Sequence, residues 1–235
     1  MSRTVLDFAG WSPPALSLWV AAWASLIGLL AATHLAWVLT KGNFKGKWLL
    51  ESVVMLPLVL PPTVLGYYLL LFLGRRGIGP WVEQVFDFRF VFAWPGAVVA
   101  AAVTALPLIV QTVRVSLAEV DLELETAARV DGCSEWQLFW LISLPLSWRG
   151  ILAGWLLGFL RAIGDFGATL MVAGNIPGRT QTMAIAIYDA VQANEIARAN
   201  GMALILSAGV FGLLFIVLRL SQRGEAQRPK PSSPQ

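Results

Sequence analysis

Arg161 and Asp165 stand four residues apart inside an otherwise apolar stretch, in the string RAIGDFGATL. On one helix face that spacing lets the two side chains pair, which lowers the cost of holding both charges away from water. Ionisable groups at membrane depth serve a conduction path or a helix contact, so two readings stay open: an arginine in an anion path, or a structural ion pair. Gly164, Gly167 and Ala168 give the same stretch the small-residue surface that lets helices approach closely. A second informative segment, LELETAARVDGCSEWQLFWLISLPL from Leu122 to Leu146, is polar and lies between two apolar stretches. Its residues suit recognition rather than bond making. The chain has one Cys and one His, which excludes zinc-type spacing, and it carries no P-loop, serine elbow or paired carboxylates. His34 reads as a proton relay or, more simply, as a side chain facing a neighbouring helix, and Cys133 as a reduced, unpaired thiol.

The elements that position these residues must be membrane helices. The sequence is 57% hydrophobic and 13% charged, with mean hydropathy +0.69, too apolar for a soluble domain of 235 residues. Five stretches, roughly 17–39, 51–73, 94–115, 150–172 and 199–220, are long enough to cross a bilayer at about 1.5 Å per residue. The first lacks the short apolar core and cleavage site of a signal peptide and is expected to be retained. With an odd number of crossings the termini lie on opposite sides. An N-terminus outside places ten Lys and Arg on the inner face against six on the outer, with the cluster Lys41, Lys45 and Lys47 in a short loop. The expected organisation is a single transmembrane domain over 1–220, with the polar segment 116–149 in the cytoplasm and a flexible cytoplasmic tail over 221–235. The basic residues of that tail read as a topology anchor rather than a nucleic-acid arm. Pro57, Pro61, Pro62 and Pro107 are expected to break or kink the second and third spans.

Within 116–149 the spacing predicts two short helices. In the first, Val120, Leu124, Ala127 and Ala128 recur at helical spacing, and Glu125 pairs with Arg129 on another side. Gly132 stops that helix, Ser134 caps the next with Gln137 completing a capping box, and Pro145 limits its length. Trp136, Phe139 and Trp140 then form an aromatic ridge that either tucks under the chain's own spans or plugs a groove on a soluble partner. Farther on, Asn175-Ile176-Pro177-Gly178 is a turn, and 183–193 a short external helix or a re-entrant piece.

Glu125 to Pro145 resembles the EAA loop of binding-protein-dependent ABC importer permeases, with Ala127, Ala128, Gly132, Ile142, Leu144 and Pro145 in the expected places. The family's glutamate usually stands six residues before the glycine; here Thr126 is there, and Glu125 is the nearest acid. The string from Arg161 to Val191, RAIGDFGATLMVAGNIPGRTQTMAIAIYDAV, is similar to molybdate importer permeases, with Asp165 replacing the more usual glutamate. So are Phe44-Lys45-Gly46-Lys47, Leu56 to Pro62 and Gly74-Arg75-Arg76-Gly77, and the likeness spans about residues 15–220. The resemblance implies an all-α integral membrane protein with the ABC importer permease fold, about five transmembrane helices and a cytoplasmic coupling helix. It implies no catalytic site in this chain, a homodimer, two cytoplasmic ATPase subunits holding ATP and Mg, an extracytoplasmic oxyanion-binding protein, and residence in a bacterial or archaeal inner membrane. Glu125, Ala127, Ala128, Gly132, Trp136, Phe139, Trp140 and Pro145 would then serve ATPase coupling. Arg161, Gly164, Asp165, Gly167 and Thr169 would serve the pathway or helix packing, with Thr63 and Thr169 as hydroxyl contacts for the anion. The expected cargo is molybdate; sulfate/thiosulfate or tungstate, and a non-transporting scaffold, are the alternatives.

Overall fold

The computed structural model describes residues 10–86 and 88–225. Helix α1, Pro13–Lys41, opens on two prolines in its first turn, where a missing N–H is harmless, and stops at Gly42. After Gly46, held at φ 93°, come α2 (Lys47–Val59) and α3 (Pro62–Leu73), followed by a short α4 (Gly79–Phe86). Helix α5, Trp94–Ala118, is the centre of the molecule and packs against α1, α2, α3, α9 (Trp148–Ile163) and α10 (Gly167–Ala173). Two of the apolar clusters along it join it to α1. One joins Leu16, Val20 and Ala24 to Ala97, Ala101 and Ile163; the other joins Ala32, Ala36 and Leu39 to Ile109, Val110 and Val113. Alanine on the facing sides brings these backbones close enough for dispersion contacts to hold the bundle without help from water. The chain ends in α11 (Met183–Gln192) and α12 (Ile196–Glu225).

Among the described residues three helical stretches, Pro13–Lys41, Trp94–Ala118 and Ile196–Phe215, are each long and apolar enough to cross a bilayer, and two bent pairs, Lys47–Val59 with Pro62–Leu73 and Glu135–Leu146 with Trp148–Ile163, bring the number up to five if each pair is one span. The molecule is a multi-pass membrane protein. The second and fourth expected spans differ from straight crossings. The stretch 51–73 is two helices turned by 117°, because Leu60 and Pro61 are extended (ψ 141° and 133°) and Pro62 restarts the helix without an N–H to donate backward. Pro57 and Pro107, also expected to disturb their spans, lie inside α2 and α5 without interrupting either. The stretch 150–172 breaks at Gly164-Asp165-Phe166 into α9 and α10. Helix α12 runs to Glu225, so the first five residues of the expected flexible tail are helical; 226–235 lie outside the described residues.

The two ends of the bundle are distinct. Trp11, Trp19, Trp23 and Trp94 cluster at one end, ring centroids about 6 Å apart, the amphipathic girdle typical of a membrane interface. The 176–180 turn and α11 join this end: Gly10 and Trp11 donate to the Gly178 carbonyl, and the Met183 N–H donates to Ser17 Oγ at 2.7 Å. Lys41 and the polar segment 119–147 occupy the other end.

Candidate functional site

At the Lys41 end the polar segment folds as an elbow whose every joint is locally specified. Helix α6, Leu122–Val130, is capped by Asp121, which accepts the Glu123 N–H at 2.9 Å; acids fill its first turn and Arg129 its last, matching the helix dipole. The helix closes with a Schellman motif: Gly132 at φ 89° donates to Arg129 O (3.1 Å) and Cys133 donates to Ala128 O (3.0 Å). Ser134 then opens α7 (Glu135–Leu138) with both capping-box bonds, Gln137 N–H to Ser134 Oγ at 3.3 Å and Ser134 N–H to Gln137 Oε1 at 2.8 Å. The Arg129 guanidinium grips both carboxylate oxygens of Glu135 at 2.7 and 3.2 Å, staples the two helices, and holds the Glu135 carboxyl below its ordinary range.

Pro145, expected to end the second helix, does not. After α7 the chain widens into a π-helical turn, Phe139–Ser143, and passes into α8 (Leu144–Leu146), where the proline sits in the first turn and needs no donor. The bend comes later, at Ser147, where α9 departs at 76°. Ser147 and Ser116 exchange hydroxyl-to-carbonyl bonds at 3.3 and 3.4 Å and pin the bend to the end of α5.

The faces of α6 also differ from the expected ones. Glu125 lies off the Leu124 and Ala127 side and within ion-pair reach of Arg129 at 3.9 Å, as expected, but it is fully buried: Lys41 Nζ lies 2.8 and 2.9 Å from its two oxygens and Ser143 Oγ donates at 3.2 Å. Ala128 shares that inner face, whereas Leu124 and Ala127 point outward. Leu122, Glu123, Thr126, Ala127, Val130 and Asp131 line a shallow open groove on the outer side. The reason is the charge on Lys41, 84 residues away in sequence, which makes an inward carboxylate favourable. The aromatic ridge divides. Phe139 is 1% exposed and packs on Trp37 and His34 (5.1 and 5.6 Å), while Trp136 and Trp140 are 54% and 46% exposed. His34 touches all three ridge rings and so ties the first span to the elbow.

At mid-chain depth the two helix breaks lie against each other. A Cβ on Gly167 would stand 3.0 Å from Pro62 Cβ, and one on Gly66 would stand 2.7 Å from Met171 Cβ. Asp165 explains the second break: its Oδ2 accepts the N–H of Thr169 (3.0 Å) and its hydroxyl (2.6 Å), capping α10 from one residue ahead of the usual cap. Arg161 reaches Asp165 Oδ1 at only 3.4 Å, its side chain one-third exposed. Thr169 is buried and committed to Asp165, whereas Thr63 is exposed. Gly164 lies in the break and is free of close neighbours other than its own helix carbonyls. Beyond α10, Asn175, Gln181 and Asp189 form a hydrogen-bonded knot (2.8–3.2 Å) that fastens the turn to α11, and the Phe166 and Tyr188 rings pack at a tilt, centroids 5.1 Å apart. Lys41, Ser143 and Thr169 as partners of carboxylates were not foreseen; only Asp165-x-x-x-Thr169 carries a local signal for it.

Comparison with known proteins agrees with this architecture. Residues 24–225 match the profile of the family described as binding-protein-dependent transport system inner membrane component. The molybdenum transport system permease protein ModB of Haemophilus influenzae is 47% identical over 197 residues, covering 82% of this chain and 86% of the relative. YvgM of Bacillus subtilis, a putative molybdenum transport system permease protein, is 41% identical over 88% of this chain and 91% of its own. The sulfate transport system permease protein CysT of Escherichia coli is 34% identical over 85% and 72%. Among solved structures, an alginate ABC importer superposes with a TM-score of 0.70 at 15% identity over 90% of this chain and 78% of that one. The MetNI methionine ABC transporter superposes at 0.60 and 17% over 95% and 99%. The fold is thus shared with ABC importers, and this chain belongs to the family of binding-protein-dependent transport system inner membrane components.

Proposed function

We propose that two copies of this chain form the membrane path of an ATP-driven molybdate importer. The observation that carries the cargo is the order of similarity: molybdenum permeases are 36–47% identical to this chain and sulfate permeases 34–36%, over nearly the same share of it. In this reading an extracytoplasmic protein delivers the oxyanion to the Trp-girdled end, and two cytoplasmic ATPases, which hold ATP and Mg, grip the elbow at the other. The N-terminus lies outside and the C-terminus inside, as the inner cluster of Lys41, Lys45 and Lys47 favours.

Closure of the ATPases on ATP would draw the two elbows together. The elbow suits a rigid lever, because its caps and the Arg129–Glu135 fork leave no loose joint between α6 and α7. Trp136, Trp140 and the outer face of α6, with Ala127, would meet the ATPase; Glu125, Ala128 and Phe139 would shape the elbow from within, and the exposed Gly132 and Pro145 would set its turns. The bend at Ser147 passes the motion to α9 and so to the paired breaks. There Arg161, with Thr63, supplies weak donors for a passing dianion, while Asp165, Thr169, Gly164 and Gly167 hold the backbone in place. Weak contacts fit transport, since tight ones would trap the cargo.

Uptake into proteoliposomes carrying the chain with its ATPase and binding protein tests this. Molybdate accumulation that resists excess sulfate is the expected outcome; sulfate-dominated uptake would refute the cargo, and a complex that purifies without any ATPase would refute the lever.

A further inference from the structure

Three separate segments meet on one buried carboxylate. Lys41 is the last residue of α1, Glu125 lies in the first turn of α6, and Ser143 ends the π-helical turn. Both Glu125 oxygens are within 3 Å of Lys41 Nζ, Ser143 donates at 3.2 Å, and the Glu125 and Ser143 side chains are wholly buried. No Glu125 atom is available to a partner docked on the elbow; the acids on the outward groove are Glu123 and Asp131. A buried ion pair is weak as a source of stability but strong as a register device, since each charge tolerates no other position.

We infer that Glu125 works inside the chain, as one half of a clasp with Lys41 and Ser143 that makes the inner end of α1 move with the elbow. This rests on the elbow being the part an ATPase drives. The carboxylate joins the driven segment to the first span directly, in parallel with the route through Ser147 into α9. His34 and Trp37 on α1, packed on Phe139, line the same joint with apolar contacts that can slide. The ion pair is what fixes the angle. Lys41, Glu125 and Ser143 are positioning residues and touch neither nucleotide nor cargo.

The test uses the complete reconstituted complex, with Ser12→Cys in a Cys133→Ser background. Spin labels on it report the distance between the outer ends of α1 in the two copies, before and after trapping with ATP and vanadate. In the parent complex that distance changes on trapping. Lys41→Met is expected to assemble and hydrolyse ATP, yet to lose the distance change and to lower molybdate moved per ATP by about tenfold or more. Lys41→Arg, which keeps the charge, restores both. Should Lys41→Met fail to assemble, Glu125→Gln decides, because it keeps the Ser143 bond and the shape while removing the ion pair; the same loss supports the clasp. An unchanged distance shift in the charge-removing variant, a parent complex without any shift, or uptake and hydrolysis falling in equal proportion overturns it. A parent complex that shows the shift but moves no molybdate sinks the cargo assignment alone.

Discussion

Replacing Gly66 by alanine adds a single methyl group where α3 crosses α10, and the structure says how much that methyl must displace. Its carbon would lie 2.7 Å from Met171 Cβ, 2.8 Å from Ala168 Cα and 3.0 Å from Ala168 O. Ordinary carbon contacts are about 3.5–4.0 Å, so the two helices must separate by roughly 1 Å. Neither neighbour can yield by rotating a side chain, since two of the three atoms are backbone and Ala168 is fully buried. Overpacking of this kind costs about 1–3 kcal/mol, and the helix preference of alanine over glycine returns at most about 1. With the full return the net loss is about 0–2 kcal/mol, which for a chain of this size lowers the melting temperature by roughly 2–4 °C per kcal/mol. Gly28→Ala is the internal control: its new methyl meets the rotatable end of Ile109 at 3.1 Å, with the nearest backbone atom at 3.8 Å. Thermal unfolding of the detergent-solubilised complex, followed by tryptophan fluorescence, should therefore rank Gly66→Ala below the parent and Gly28→Ala level with it. Equal stability of the two variants would refute the claim that α3 and α10 meet backbone to backbone.

Two further outcomes concern the elbow. Gly132→Pro forces φ from 89° to the proline value and abolishes the Schellman closure, so coupled uptake should vanish while membrane insertion, measured by fractionation, persists; unimpaired uptake would show that the elbow angle is irrelevant. The Arg129–Glu135 fork should be pH-dependent in one direction. Because the Glu135 carboxyl is held below its ordinary range, its contribution is complete above the usual glutamate pKa of about 4.3 and is lost as pH falls through the depressed value, which Trp136 fluorescence should follow in the parent and not in Glu135→Gln.

What the sequence made legible was local. Ser134 with Gln137, Gly132 at a helix end and Pro177-Gly178 in a turn are each written in four or five consecutive residues, and the structure forms them with the expected bonds or dihedrals. The three unbroken spans fall within a few residues of their hydropathy limits for the same reason. Pro61-Pro62 announced a break but not its 117°, which is set by what α3 packs against. The break at Gly164 was hidden, because hydropathy runs straight through it and its cause is a side-chain cap. The pairing of Glu125 with Arg129 was legible in their spacing, but its burial was not, because its decisive partner, Lys41, is joined to it only by the fold.

The π-helical turn at Phe139–Ser143 carries one residue more than an α-helical turn over the same rise. Removing any one of those five would restore the ordinary ladder and rotate everything before it by about 100° about the helix axis. Trp136 would swing off His34, and the outward groove of α6 would present a different side. The turn is a phase shim: it sets the angular offset between Gly132 and Pro145, and deletion of one residue inside 139–143 would point the lever elsewhere.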